Sequence, residues 1–317
     1  MKRLSRAIAY ILLPALLAGG GAARAQDAVR AADLRLLAIA ERIQLANAAL
    51  CDRRAPALGA ALQSRDQFPQ GRDPGFAAPV AFAVLLPNSP LAQAGIGPGD
   101  GLVAIGGVPV ATQLGLEGMP LRDSAHAMLG QHPAGTPLRL TVVHAGQTRD
   151  IELVPEAQCR ALVEVLVGDG RTARSDGRVI QLGLDLIQRA SDEEIAAIFA
   201  HELAHSALHH RDRLAASGVS KGFGGEFGQD RQLNGEAEIE ADRLSVHLLA
   251  NAGYDPRVAP ALWRGALGRQ LDAGLFRSRI YASPEERAQS LEREIADYLA
   301  GGAPSWPGHL LARRRSA

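Results

Sequence analysis

Ser191-Asp192-Glu193-Glu194-Ile195-Ala196-Ala197-Ile198-Phe199-Ala200-His201-Glu202-Leu203-Ala204-His205 is the stretch from which the rest of the chain can be read. Ser191 followed three residues later by Glu194 is a capping box, the mark of a helix start. Ile195, Ile198, Phe199 and Leu203 then recur at helical spacing, so His201 to His205 is predicted to lie inside a helix. Residues four apart on a helix stand one above the other. His201 and His205 therefore project from one face at a span that a single zinc ion bridges, with Glu202 beside them.

Two imidazoles leave a catalytic zinc site one protein ligand short, because such sites normally have three and keep a position open. Downstream, Asn234 is expected to cap a second helix carrying Glu236-Ala237-Glu238-Ile239-Glu240-Ala241-Asp242, which stops near Gly253 with Pro256 beyond. Glu238 and Asp242 share one face. Their spacing leaves open which binds metal and which orients a ligand histidine through its free ring nitrogen. Glu236 and Glu240 share another face and read as solvated charge, as do the adjacent His209 and His210. His126, His132, His144 and His309 have no partner legible in the sequence.

H-E-x-x-H followed about thirty residues later by E-x-x-A-D resembles the zinc endopeptidases of the CAAX-prenyl-protease family, soluble periplasmic members included, over roughly residues 161–299. The resemblance implies an α+β fold, a mainly helical zincin-type (gluzincin) domain with a small sheet. It places Zn2+ on His201, His205 and Glu238, the general acid/base on Glu202 and a supporting carboxylate on Asp242. Arg287 matches an arginine of that family. Tyr281 stands where the family has a histidine, and a tyrosine hydroxyl in reach of the site would serve as an oxyanion donor. The other reading of Tyr281 is a packing residue ahead of the helix start Ser283-Pro284-Glu285-Glu286. The family's substrate-side Asn-Ala is replaced by Arg171-Thr172-Ala173-Arg174-Ser175-Asp176-Gly177, so substrate preference is not carried over. An extended substrate is expected to pair with the edge of a strand over 178–184, with the glycine-rich segment 218–235 as a lid.

Upstream, short β-type runs at 80–86, 102–105, 138–144 and 148–154 are separated by turn residues. Within them, residues 87–100 (Pro-Asn-Ser-Pro-Leu-Ala-Gln-Ala-Gly-Ile-Gly-Pro-Gly-Asp) and 102–107 (Leu-Val-Ala-Ile-Gly-Gly) resemble the PDZ domains of bacterial envelope proteases. The resemblance implies capture of an extended peptide or a partner at a sheet edge. The carboxylate-binding loop of such domains is not recognisable in Gly75-Phe76-Ala77-Ala78, which leaves a packing or regulatory role equally open.

Lys2, Arg3 and Arg6, an apolar run from Ala7 to Ala18 and Ala23-Arg24-Ala25 have the form of a secretory signal cleaved after Ala25. The alternative is an uncleaved anchor, which would be the chain's one contact with a membrane. Leu36, Ile39, Ile43, Ala46 and Leu50 then read as an amphipathic helix followed by a second short one reaching about Leu62. Export implies an oxidising compartment, and Cys51 and Cys159 are the two cysteines, so one disulfide is expected, the alternative being two buried thiols. Formal charge is zero over 317 residues and arginine is spread along the chain, which argues against nucleic-acid binding. Arg313 to Arg315 read as a solvated tail.

The expected organisation is a signal peptide at 1–25, a helical segment at 26–74, a mostly β PDZ-like domain at 75–156, a zinc metallopeptidase domain at 157–300 and a tail at 301–317. The expected function is hydrolysis of peptide bonds of envelope proteins in the periplasm. The alternative is an inactive zinc-binding, PDZ-containing adaptor or regulator of the cell envelope.

Overall fold

The computed structural model describes residues 17–71, 73–110, 119–133, 135–168, 173–218, 228–275 and 282–315. Helix α1 (Leu17–Ala46) begins within the stretch read as a leader and runs without a break. Its Leu36, Ile39, Ala40 and Ile43 are buried, the three- and four-residue spacing that lines one helix face. Strands β1 (Arg54–Pro56) and β2 (Ala60–Ser64) follow.

β2 stands where the sequence reading expects the second short helix. Five residues rich in alanine carry no decisive period, and here the partner strand overrides the local helix preference. β2 pairs antiparallel with β3 (Val80–Leu85), so the β-rich unit starts upstream of residue 75. The chain continues through α2 (Pro90–Gln93), β4 (Gly101–Ile105), β5 (Val108–Pro109), α3 (Leu121–Leu129), β6 (Leu138–His144) and β7 (Gln147–Leu153). The six strands form one antiparallel sheet in the order β2-β3-β4-β6-β7, with β5 on β4. Gly106 and Gly107 both take positive φ, +58° and +82°, which a tight hairpin between β4 and β5 needs and L side chains resist. Phe82, Leu91, Leu102, Leu138 and Leu140 fill this unit's own core.

The second unit opens with β8 (Ala157–Cys159), which pairs with β1, and Cys51 is joined to Cys159 with their Cα atoms 5.4 Å apart. β9 (Leu162–Leu166), β10 (Ala173–Ser175) and β11 (Val179–Gly183) form a small sheet in the order β10-β11-β9, β11 running parallel to β9 and antiparallel to β10. Helices α4 (Leu184–Arg189), α5 (Asp192–Ala207), α6 (His210–Ala216), α7 (Gly228–Asn251), α8 (Val258–Arg264), α9 (Ala266–Leu275), α10 (Pro284–Tyr298) and α11 (Gly308–Leu311) complete the chain. Phe199, Leu203 and Ala204 of α5 share a core with Ala241, Leu244 and Leu248 of α7 and with Leu36 and Ile43 of α1. The amino-terminal helix therefore belongs to the helical unit, although the β unit lies between them in sequence. Arg122 of α3 joins the two units by pairing with both oxygens of Glu164 on β9, at 2.9 and 3.0 Å.

Of the carboxy-terminal arginines, Arg313 is exposed as read, yet both it and the half-buried Arg314 are bonded to the fold. Arg313 donates to Glu240 at 3.2 Å, and Arg314 donates to the carbonyls of Ala207 and Leu50. Among the described residues no helix is long and apolar enough to cross a membrane.

Candidate active site

The expected capping box closes α5. Glu194 N–H donates to Ser191 Oγ at 3.2 Å and Ser191 N–H donates to Glu194 Oε2 at 2.9 Å. Asp192, Glu193 and Glu194 also put three carboxylates against the positive end of the helix dipole. At the tenth and fourteenth residues of this helix, whose inner face is buried by Phe199, Ala200 and Leu203, the two histidines emerge together.

α7 supplies the facing carboxylate. It starts at Gly228, earlier than a cap at Asn234 would allow, and ends at Asn251; Tyr254 N–H reaches back to Leu249 O at 3.0 Å over a left-handed Gly253. His201 Nε2 and His205 Nε2 are 3.1 Å apart, and each is 3.3 Å from a carboxylate oxygen of Glu238. A tetrahedral ion with ligand bonds of about 2.0–2.1 Å has ligand-to-ligand edges of about 3.3–3.4 Å, so two imidazole nitrogens and a carboxylate at this spacing suit zinc. His201, His205 and Glu238 fit the metal on both geometry and donor chemistry.

Each of the two histidines has a polar neighbour behind it. His201 Nδ1 lies 3.0 Å from Asp242 Oδ1, and Asp242 is gripped by Arg287 through two bonds of 2.6 and 2.7 Å. The Arg287 guanidinium lies 3.5 Å over the Trp263 ring and 3.8 Å from Glu238. His205 Nδ1 lies 2.8 Å from His210 Nδ1, and His210 Nε2 lies 3.2 Å from Glu240 Oε2. Glu240 in turn accepts from Arg213 at 2.7 Å and from Arg313.

This second line corrects two sequence readings. His210 and Glu240 are only 2 % and 5 % exposed, not solvated. The reason is the turn after α5, where His209 takes a left-handed φ of 56° and sends α6 back along the site, turning His210 inward. His209 pairs outside with Asp52 at 2.9 Å, and Glu236 is exposed as read.

Charge follows this layout. Burial pulls the His201 imidazole down, but the Asp242 and Glu238 carboxylates outweigh it and drive it up to about 10. Burial also pushes Glu238 up, and His205, His201 and Arg287 overcome that and hold it well below the usual carboxylate range. The pair thus calls for a positive charge between them, a proton or a metal. Burial keeps His205 neutral, down to about 3. Glu202 is pushed up to about 7, chiefly by burial, which places its proton exchange near neutrality.

Ala173, Ile198, Glu202, Leu262, Trp263 and Arg287 line a cavity over these residues. β11 is not the edge that faces it, because β9 and β10 occupy both of its sides. The outer edge belongs to β10, whose Ala173 lines the cavity. Tyr281 and residues 219–227 of the glycine-rich segment lie outside the described residues, and 228–235 of that segment are helical.

A second His-Glu-His cluster lies further along α7, shared with α10 and α11. His247 Nε2 and His309 Nε2 sit 3.0 and 2.8 Å from the single oxygen Oε1 of Glu294. Arg243 holds the other oxygen at 2.6 Å, and Ser305 Oγ reaches His247 Nδ1 at 2.6 Å. These are hydrogen-bond spacings with the carboxylate charge already met by arginine. The cluster anchors the carboxy-terminal segment to α7 and α10.

Residues 173–223 match the model described as Peptidase family M48. The chain is also 31% identical over 137 residues to the mitochondrial metalloendopeptidase OMA1 of Arabidopsis thaliana, an alignment covering 33% of this chain and 27% of that protein. The chain thus spans about a quarter of the length of the curated relative it matches. The matched residues 173–223 contain His201, Glu202 and His205, and Glu238 completes the candidate cluster from beyond that segment.

Proposed function

We propose that this chain is a zinc-dependent metalloendopeptidase that cleaves envelope proteins in the periplasm. The observation that carries the proposal is the clustering of His201, His205 and Glu238 beside a cavity that His201, Glu202 and Glu238 line. When bound, zinc supplies a Lewis acid that polarises the scissile carbonyl and acidifies a water. Glu202, lining the cavity beside His201, would take a proton from the attacking water and deliver it to the leaving amine. Asp242 and His210 hold the two imidazoles with Nε2 toward the cavity. The outer edge of β10 offers backbone groups to an extended substrate, which supports recognition with little demand on sequence.

The Cys51–Cys159 bridge favours an oxidising compartment, in keeping with the signal-like segment 1–25. The six-stranded unit is read as PDZ-like. In its loop at 75–78 the Ala77 amide already donates to Gly99 O at 2.9 Å, which favours a packing or regulatory role over carboxylate capture.

Zinc content and casein cleavage of the purified chain and of Glu202→Gln test the reading. Stoichiometric zinc in both, with cleavage lost only in the variant, is expected. Zinc without cleavage in the parent chain would favour the adaptor, and absence of zinc would overturn the site.

A further inference from the structure

His210 and Glu240 belong to no motif read from the sequence, yet they stand directly behind a metal ligand. A histidine that offers Nε2 to zinc must carry its proton on Nδ1. For His205 that N–H points at His210 Nδ1, 2.8 Å away, which must then be the unprotonated, accepting nitrogen. His210 accordingly carries its own proton on Nε2, facing Glu240 Oε2 at 3.2 Å. Glu240 is fixed by Arg213 from α6 and by Arg313 from the carboxy-terminal segment. The reverse pair of tautomers would set an unprotonated His210 Nε2 against the Glu240 carboxylate, so the line favours the pair that leaves His205 Nε2 free for a metal.

We infer that His210, oriented by Glu240, is a positioning residue that holds His205 in its zinc-binding tautomer and ring orientation. This rests on the zinc-peptidase reading and deepens it. The two ligand histidines are then braced in different ways. His201 leans on the Asp242 carboxylate, whereas His205 leans on a neutral imidazole, with the carboxylate one step further back. A partner of this kind orients its ligand with less added basicity than a direct carboxylate gives. Arg313 makes the carboxy-terminal segment the outermost member of the line.

The test uses the full chain and reads zinc affinity by competition with a chromogenic chelator, together with the visible absorption of the cobalt-substituted protein. His210→Ala is expected to weaken zinc binding about 10–100-fold, the range found when such outer partners of a ligand are removed, and to alter the cobalt spectrum. His210→Asn, whose side-chain oxygen can accept from His205, is expected to restore most of the affinity. A purely structural role would lower the melting temperature of the metal-free protein in both variants and leave the cobalt spectrum of the folded fraction unchanged. Should His210→Ala not fold, Glu240→Gln carries the test, with a several-fold loss expected. Unchanged affinity and spectrum in the variants of a zinc-binding parent would overturn this inference alone. A parent that binds no zinc would overturn the zinc reading itself.

Discussion

Arg287→Met isolates what the buried pair behind His201 contributes. Arg287 and Asp242 have side chains only 5 % and 3 % exposed, joined by two bonds of 2.6 and 2.7 Å. Methionine keeps an unbranched apolar stem against Trp263, so the main loss is the charge partner. Asp242 then keeps only His201 as a counter-charge, and removing one member of a buried pair costs at most about 3–5 kcal/mol. At roughly 2–4 °C per kcal/mol for a domain of 150–250 residues, the metal-free protein should melt lower by at most about 6–20 °C. Adding Asp242→Asn removes the stranded charge and leaves a buried amide, whose unmet hydrogen bonds cost about 1–3 kcal/mol. The double variant should therefore melt above Arg287→Met, a coupling that thermal or urea unfolding in chelator would read directly. A single variant within about 2 °C of the parent, or a double variant less stable than the single, would refute the pair as the brace of this site.

Two further outcomes follow from other parts of the fold. Asp33 on α1 is raised to about 7, first by burial and then by the nearby Glu164 charge, against a backbone hydrogen bond from Val165 that lowers it. A carboxyl raised on folding adds stability that is complete below its ordinary value near 3.8 and is lost as pH climbs through about 7. Asp33→Asn should consequently be more stable than the parent at pH 8 and show no gain at pH 4; urea midpoints at the two pH values decide, and an equal gain at both would refute burial as the cause. Replacing Cys51 and Cys159 by alanine opens a link between residues 108 apart and should cost about 2–5 kcal/mol. Equal melting temperatures for the parent with and without reductant would show that the bridge is not formed.

What could be read ahead of the structure was local. The capping box at Ser191 and Glu194 and the four-residue spacing of His201 and His205 depend only on one helix, and both stand as read. Glu238 and Asp242 were legible as a pair for the same reason, with the resemblance deciding their roles. His210 was not, because its position depends on a single left-handed residue, His209, in a conformation few non-glycine residues adopt. Glu240 was misplaced with Glu236 because helical spacing gives a face but not the neighbour that covers it. The strand Ala60–Ser64 and the bonds of Arg313 and Arg314 were missed alike, since each depends on a partner far away in sequence.

The spacing along α7 explains why the two histidines are braced unequally. At 100° per residue, Asp242 lies about 40° round the helix from Glu238, whereas Glu240 lies about 160° from it, nearly opposite. Asp242 thus reaches His201 from the ligand's own side. Glu240 emerges on the far side and meets the site only because α6 inserts His210 between them. One helix consequently carries the third member of the candidate metal cluster and the carboxylate end of both supporting lines. Ala204 on α5 and Ala241 on α7 are both fully buried in the core these helices share, small side chains that let the backbones approach. Any shift of α7 against α5 moves Glu238, Glu240 and Asp242 together, so the packing of that one helix pair sets the spacing of the His-His-Glu cluster more than any single hydrogen bond does.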